Sequence, residues 1–260
     1  MYNTQVANAF IAHRGRYFAA EAHCFASLLG DSARGKLALD LGCGTGLYSR
    51  YLVNNAAASN VIGLDLSDSM LQLAQAEEKE NPTGKIHYVQ GNVADLGAIT
   101  TKLPSGLQPP FAVIVAAFVL QHLESLEKLT SLLRIIRSLL APGGKLIAGV
   151  NNPPSDLKYD ENLKRYGLYY SRHNNLFDGK PIGVCFVGTD GEVEEAVDYY
   201  YSNQAYAQAL HEAGFVDIVF SVPHDPPPST SAEEVEYLKA YFEWPSSRFF
   251  CATNPTEEAS

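Results

Sequence analysis

Two aspartates and three alternating glycines are the first residues whose types and spacing could do chemistry. The run LDLGCGTG, Leu39 to Gly46, places Asp40 just ahead of Gly42, Gly44 and Gly46. A second apolar run, VIGLDLS, ends in Asp65. Glycine at every second position lets backbone approach a ligand closely, because no Cβ intrudes. An acid before such a turn can take a cation such as an α-ammonium. An acid ending the next strand can accept from both hydroxyls of a ribose. The set suits a nucleoside with an amino-acid tail and no phosphate. A phosphate-binding P-loop would need Lys-Ser/Thr after its last glycine, and Leu47-Tyr48 stands there. A dinucleotide turn would need its third glycine at position 47, which is Leu47. That disfavours a nicotinamide cofactor, though the glycines alone do not exclude it.

Further candidates follow later apolar runs. Gln121 and His122 come after FAVIVAAFVL, and a histidine there can take a proton near neutral pH. His122 is the candidate catalytic base, and it is also placed with Gln121 among the substrate-binding residues. Asn151 and Asn152 end another run and can orient an acceptor by hydrogen bonds. Residues 152–202 are rich in tyrosine, whose flat faces suit a planar molecule; Tyr169 and Tyr200 are the candidates. Three consecutive tyrosines, Tyr199 to Tyr201, cannot all face one side of a strand.

These residues need a scaffold that gathers them. KLALDLG (36–42), NVIGLDLS (60–67), KIHYVQGN (85–92), FAVIVAAF (111–118) and KLIAGVN (145–151) read as strands. Residues 5–29, 47–55, 67–80 and 123–140 read as helices between or before them. The alternation implies a parallel sheet covered by helices, whose ligands sit at the carboxyl ends of the strands. It breaks over 152–202, with β-like PIGVCFVG and EEAVDYYYS, and then resumes as helix, strand, helix and a last strand, SRFFCATN. The chain therefore reads as a single domain, 1–260, with a helical cap at 1–30 and a lid insertion at 152–202.

Composition narrows the partners. The chain is 46% hydrophobic and 11% aromatic, enough for a sizeable core. A net charge of −10 without a Lys/Arg cluster argues against nucleic acid and for a small molecule. The ten-residue FAVIVAAFVL is too short to span a bilayer, and MYNTQVANAF has no basic start leading into an apolar segment. No membrane association or signal peptide is expected. Cys24, Cys43, Cys185 and Cys251 form no CxxC pair, so no metal site is expected and a reduced, cytoplasmic setting fits.

The ordered set of segments resembles the class I S-adenosylmethionine-dependent methyltransferases over residues 36–151. LDLGCGTG is similar to their first motif, VIGLDLSDSML to the second, YVQGNVADL to the third and FAVIVAAFVLQHL to the fourth. LLAPGGKLIAGV is similar to the segment leading into strand five. Gly91-Asn92 stands where the family usually has Gly-Asp, and Ala112 where it usually has Asp. The resemblance implies an α/β, Rossmann-like class I methyltransferase fold with a mostly parallel seven-stranded sheet and helices on both faces. It implies S-adenosyl-L-methionine as cofactor, held by Asp40, Gly42, Cys43, Gly44, Thr45, Gly46, Asp65, Leu66, Met70, Asn92, Val93 and Phe118. Asp65 would be the ribose acid, Met70 would lie near the adenine, and the Asn92 amide oxygen would accept from the adenine amino group. Arg14 or Arg16 could meet the methionine carboxylate. NPPS after Asn151 resembles a motif of nucleic-acid amino methyltransferases, but it follows strand five rather than strand four and ends in Ser155.

NNPPSDLKYDENLKRYGLYY, DYYYSNQAYAQALHEAGF and FFCATNP resemble the toxoflavin synthase-like small-molecule methyltransferases. This narrower resemblance implies natural-product chemistry on a small, heteroaromatic acceptor, with nitrogen favoured as the methylated atom. Oxygen or carbon methylation, a cofactor-binding protein that transfers no methyl, and a homo-oligomeric state remain open alternatives.

Overall fold

The computed structural model describes residues 17–101, 103–154, 158–188 and 191–256. After helix α1 (Phe18–Leu29) the chain runs β1 (Leu37–Leu41), α2 (Leu47–Asn54), β2 (Asn60–Asp65), α3 (Asp68–Glu80) and β3 (Ile86–Gln90). It continues through α4 (Leu96–Thr100), β4 (Phe111–Ala117), α5 (Leu126–Leu139) and β5 (Leu140–Asn151). A different pattern follows: α6 (Lys158–Lys164), β6 (Leu168–Ser171), β7 (Lys180–Val187) and β8 (Val193–Tyr200). The chain closes with α7 (Asn203–Glu212), β9 (Val216–Ser221), α8 (Ala232–Glu243) and β10 (Ser247–Thr253).

Seven strands form one sheet in the order β3-β2-β1-β4-β5-β10-β9. β10 runs antiparallel to both β5 and β9, and the other pairings are parallel. The mostly parallel, seven-stranded sheet expected from the sequence is therefore the observed one. Strand alternation explains its apolar runs. On β4, Ile114 and Ala116 enter one core, while Val113 and Val115 enter the other. On β10, Phe250 and Ala252 join the first core, and Phe249 and Cys251 the second. A strand buried on both faces needs apolar residues at both parities. Leu132, Leu133 and Ile136 of α5 cover one face, with Ala205 and Leu210 of α7. Phe25 and Leu29 of α1 cover the other, with Tyr48 and Leu52 of α2.

Between β5 and α7, β6, β7 and β8 form a separate antiparallel sheet. Its core is Leu163, Leu168, Tyr170, Ile182, Val184 and Phe186. The tyrosines in this region mostly anchor it. Tyr166 donates its hydroxyl to the Tyr237 carbonyl at 2.6 Å, and Tyr201 donates to the Leu123 carbonyl at 2.8 Å.

Boundaries differ from the sequence reading where a cap or a distant side chain decides them. α5 begins at Leu126 rather than 123, because Ser125 caps it by accepting from the Lys128 N–H. β5 begins at Leu140 rather than 145, because Asn254 Nδ2 donates to the Leu140 and Ala141 carbonyls and holds the turn extended. The short α4, α6 and β6 carry too few residues to show a period. Of the helix expected over 5–29, residues 17–29 are described, and Phe18–Leu29 of them are helical. Among these residues no helix is long and apolar enough to cross a membrane.

Phe250 tests the antiparallel closure of the sheet. It is fully buried, with the Tyr206 and Phe220 rings 5.3 and 5.5 Å away. Phe250→Ala is expected to cost about 3–5 kcal/mol of stability through the cavity it leaves, read as a lower denaturant midpoint at unchanged slope.

Candidate active site

A cavity of about 510 Å³ opens where the strands of the large sheet end. Gly42 follows β1, Asp65 ends β2, Asn92 follows β3 and Phe118 follows β4; all four line it. The parallel sheet produces this convergence, since each strand delivers its carboxyl end to the same side.

The glycine turn and Asp65 are built as one unit. The Gly44 N–H donates to Asp65 Oδ2 at 2.8 Å, and the Ser67 N–H donates to Oδ1 at 2.8 Å. The carboxylate thus ties the first strand–helix turn to the second and keeps a lone pair on each oxygen. Gly44 has φ +53°, and a Cβ built there would meet nothing within 4 Å. Its backbone is open to a ligand, as a nucleoside cradle requires. Gly46 serves differently. It has φ +78° and begins α2, and a side chain there would collide with the Tyr88 hydroxyl. It does not line the cavity.

The other sequence candidates divide similarly. Cys43, Thr45, Leu66, Met70 and Val93 line the cavity with those already named. Burial pushes the Cys43 thiol well above its ordinary range, and the charges of Asp40 and Asp65 add to this. It is a neutral wall group, not a nucleophile. Asn92 lines the cavity while its Oδ1 accepts from the Ala94 N–H at 3.0 Å. Asp40 does not line it. Its buried carboxylate accepts from Ser49 Oγ at 2.6 Å and so holds α2. Arg14 and Arg16, the candidates for the methionine carboxylate, lie outside the described residues.

Phe118 stands at φ +62°, a left-handed conformation costly for a bulky residue. Its N–H donates to the Gly149 carbonyl at 2.7 Å, and its ring meets Phe249 edge-on at 6.3 Å. These contacts turn the ring between two spaces. Phe118 lines the large cavity and also a smaller one of about 20 Å³. Gln121 and Asn151 line the smaller one.

His122 follows in a 3-10 turn, Leu120–His122, and lines the large cavity. Its Nδ1 lies 2.6 Å from Oδ1 of Asp198, on β8 of the second sheet. Asn151 Nδ2 donates to Asp198 Oδ2 at 2.5 Å. Burial pulls the imidazole pKa down. The hydrogen bond and charge of Asp198 outweigh it and leave the pKa above its ordinary value of 6.5. A raised folded value means that the pair adds stability below pH 6.5 and loses it as pH rises through that value.

The remaining candidates sit elsewhere. Asn152 donates Nδ2 to the Pro245 carbonyl at 2.8 Å and accepts from Trp244 Nε1 at 3.0 Å, so it ties β5 to the segment before β10. Tyr169 lies under Lys164, and Tyr200 under Arg248. Neither lines either of these two cavities; Tyr170 lines the smaller one. Asp198 and Glu21 were not singled out in the sequence. The available signal was an acid inside a β-like run, EEAVDYYYS, and an acid on the apolar face of a helix.

Comparison with known proteins agrees with this geometry. Residues 39–146 match the model of a methyltransferase domain. The chain is 27% identical over 187 residues to a demethylmenaquinone methyltransferase of Geobacillus sp. (strain WCH70), covering 71% of this chain and 73% of that one. It is 30% identical over 137 residues to a malonyl-[acyl-carrier protein] O-methyltransferase of Halalkalibacterium halodurans, covering 51% of this chain and about half, 47%, of that one. In fold it is similar to an S-adenosylmethionine-dependent methyltransferase from Mesorhizobium loti. The TM-score is 0.58 at 19% identity, with 92% of this chain and 100% of that one covered. It is likewise similar to an S-adenosylmethionine-bound amino pentose methyltransferase from Micromonospora echinaspora. There the TM-score is 0.57 at 16% identity, with 98% of each chain covered.

Asp65→Ala is expected to weaken S-adenosylmethionine binding by about 1–3 kcal/mol, because it removes an acceptor for the ribose and unties the Gly44 turn. Calorimetric titration reads the loss, and unchanged affinity would refute the ribose assignment.

Proposed function

We propose that this chain, whose residues 39–146 match a methyltransferase domain, is a class I S-adenosylmethionine-dependent methyltransferase that methylates a small-molecule acceptor at an atom that must first lose a proton. The observation that carries the proposal is the 2.6 Å contact between His122 Nδ1 and Asp198 Oδ1 beside the cofactor cavity.

S-adenosylmethionine is the cofactor, and it supplies a methyl group already activated by a sulfonium charge. The protein's residues then have to bind, align and deprotonate. Gly42, Gly44, Asp65 and Met70 are proposed to hold the cofactor, with Asp65 on the ribose. Phe118 closes the cavity toward the acceptor and helps to exclude water. Asp198 orients the imidazole and fixes the proton on Nδ1, which leaves the Nε2 lone pair to take the acceptor's proton. Asn151 holds Asp198 in turn.

An acceptor nitrogen with a lone pair to spare would need no base, so the dyad favours an N–H or O–H group. The resemblance to the toxoflavin synthase-like proteins supports a heteroaromatic nitrogen. Residues 152–202 serve as the acceptor-side lid in this reading, because β8 brings Asp198 from there to the site.

A base must be neutral to act, so kcat/KM is expected to rise with pH through the raised His122 pKa. His122→Gln should lower kcat by about 10²–10⁴-fold with a smaller effect on cofactor affinity. Asp198→Asn should lower the plateau and move the acidic limb to lower pH, since the group that raises the imidazole pKa is gone. S-adenosylhomocysteine release against a panel of heteroaromatic N–H and phenolic acceptors, with mass spectrometry of products, checks both the activity and the methylated atom. Wild-type turnover in both variants would sink the base role. No release with any acceptor would favour a cofactor-binding protein that transfers no methyl.

A further inference from the structure

The two halves of the large cavity differ in chemistry. In the sheet, β4 lies beyond β1 from β2 and β3, so the residues at its end line the half away from Asp65 and Asn92. Ala117, Phe118, Val119, His122 and Leu123 line that half, and Val197 of β8 joins them from the small sheet. All of these but His122 are apolar. Among the described residues no Lys or Arg lines the cavity, and its one carboxylate, Asp65, belongs to the proposed cofactor half.

Val197 is 52% exposed, and an apolar side chain at a cavity mouth gains by being covered. Strand alternation sets it on the opposite face of β8 from Asp198, so Asp198 lines the smaller cavity and Val197 the larger. Two residues earlier on the same face stands a carboxylate, Glu195, which does not line the cavity. It is tied back across the small sheet: Ser171 Oγ donates to its Oε1, and Arg172 Nη2 lies 3.0 Å from that oxygen. Gly183, the partner of Val197 on β7, leaves room for this, because a Cβ there would meet the Glu195 carboxylate and the Ser171 hydroxyl. Asp198 on His122 and the Tyr201 hydroxyl on the Leu123 carbonyl hold β8 against the end of β4. The apolar wall is thus built before an acceptor arrives, and covering it carries little ordering cost.

We infer that Val197 is a specificity-determining residue, and that the methyl acceptor is a neutral aromatic molecule whose hydrocarbon substituent lies along Val119, Leu123 and Val197. The N–H or O–H that loses its proton meets His122, and this half of the cavity offers no partner for a second, charged group of the acceptor. The inference rests on the reading of the chain as a small-molecule methyltransferase.

Its test is a binding measurement that separates the two. The full chain, saturated with S-adenosylhomocysteine, is titrated with benzimidazole and with its methyl, ethyl and propyl derivatives on the benzo ring, followed by ligand-observed NMR. Affinity is expected to rise about two- to fourfold with each added carbon. The matching carboxylate and aminomethyl analogues, one anionic and one cationic, should bind at least about tenfold more weakly than the propyl compound. Val197→Asn should flatten the rise, costing the propyl derivative about tenfold and benzimidazole itself less, whereas Val197→Leu, which keeps the wall apolar, should retain it. A merely structural role would weaken every member alike. S-adenosylhomocysteine affinity in each variant reports that the protein is folded; its absence in the wild-type chain would defeat the methyltransferase reading and the inference with it. Equal affinity across the alkyl series, equal or tighter binding of a charged analogue, an unchanged or uniformly lowered series in Val197→Asn, or no detectable binding of any benzimidazole would each overturn the inference and leave that reading standing.

Discussion

Asp198 is a charge that the fold must compensate, and the way it does so organises the site. The residue is 1% exposed and belongs to the three-stranded sheet. The groups that hold it, His122 and Asn151, belong to the ends of the seven-stranded sheet. Leaving a buried carboxylate without partners would cost several kcal/mol. The pair of contacts therefore holds one sheet against the other, and the same contacts orient the imidazole. Tyr201 on the Leu123 carbonyl and Tyr170 on the Ser246 carbonyl reinforce this docking with neutral hydrogen bonds.

On the cofactor side, a second carboxylate does comparable work at lower burial. Asp65 joins the Gly44 turn to the start of α3 through Ser67, so the two loops that line this part of the large cavity are tied together. The glycines matter for distinct reasons: Gly44 leaves space for a ligand, and Gly46 leaves space for Tyr88. Between the two sides stands Phe118, whose strained backbone is held by Gly149 and Phe249. Strain of this kind persists only where its surroundings over-determine it.

The two sheets also divide the proposed chemistry. The large sheet carries the proposed cofactor site within the segment that matches a methyltransferase domain, residues 39–146. The small sheet, β6 to β8, lies outside that segment and contributes Asp198, Val197 and Tyr170 to the cavities. A shared donor site with a separately built acceptor site lets one fold serve many acceptors.

The sequence by itself determined the sheet, the glycine turn and Asp65, because each rests on local information. Strands buried on both faces need continuous apolar runs, and a ligand turn needs glycine at set positions, so both leave a readable pattern. His122 was legible for the same reason, as a titratable group at the end of such a run. Asp198 was not, since its partners are 76 and 47 residues away, from His122 (122 to 198) and Asn151 (151 to 198). The sequence assigned Asp40 and Asp65 different ligand groups but put both at the ligand; only their neighbours, Ser49 for one and the open cavity for the other, separate them in the fold. The tyrosines show the same limit. Tyr169, Tyr170, Tyr200 and Tyr201 are alike as residues, and the docking of one sheet on another decided which became anchors and which met a cavity. Long-range pairing depends on the closed fold, and alternation along one strand cannot encode it.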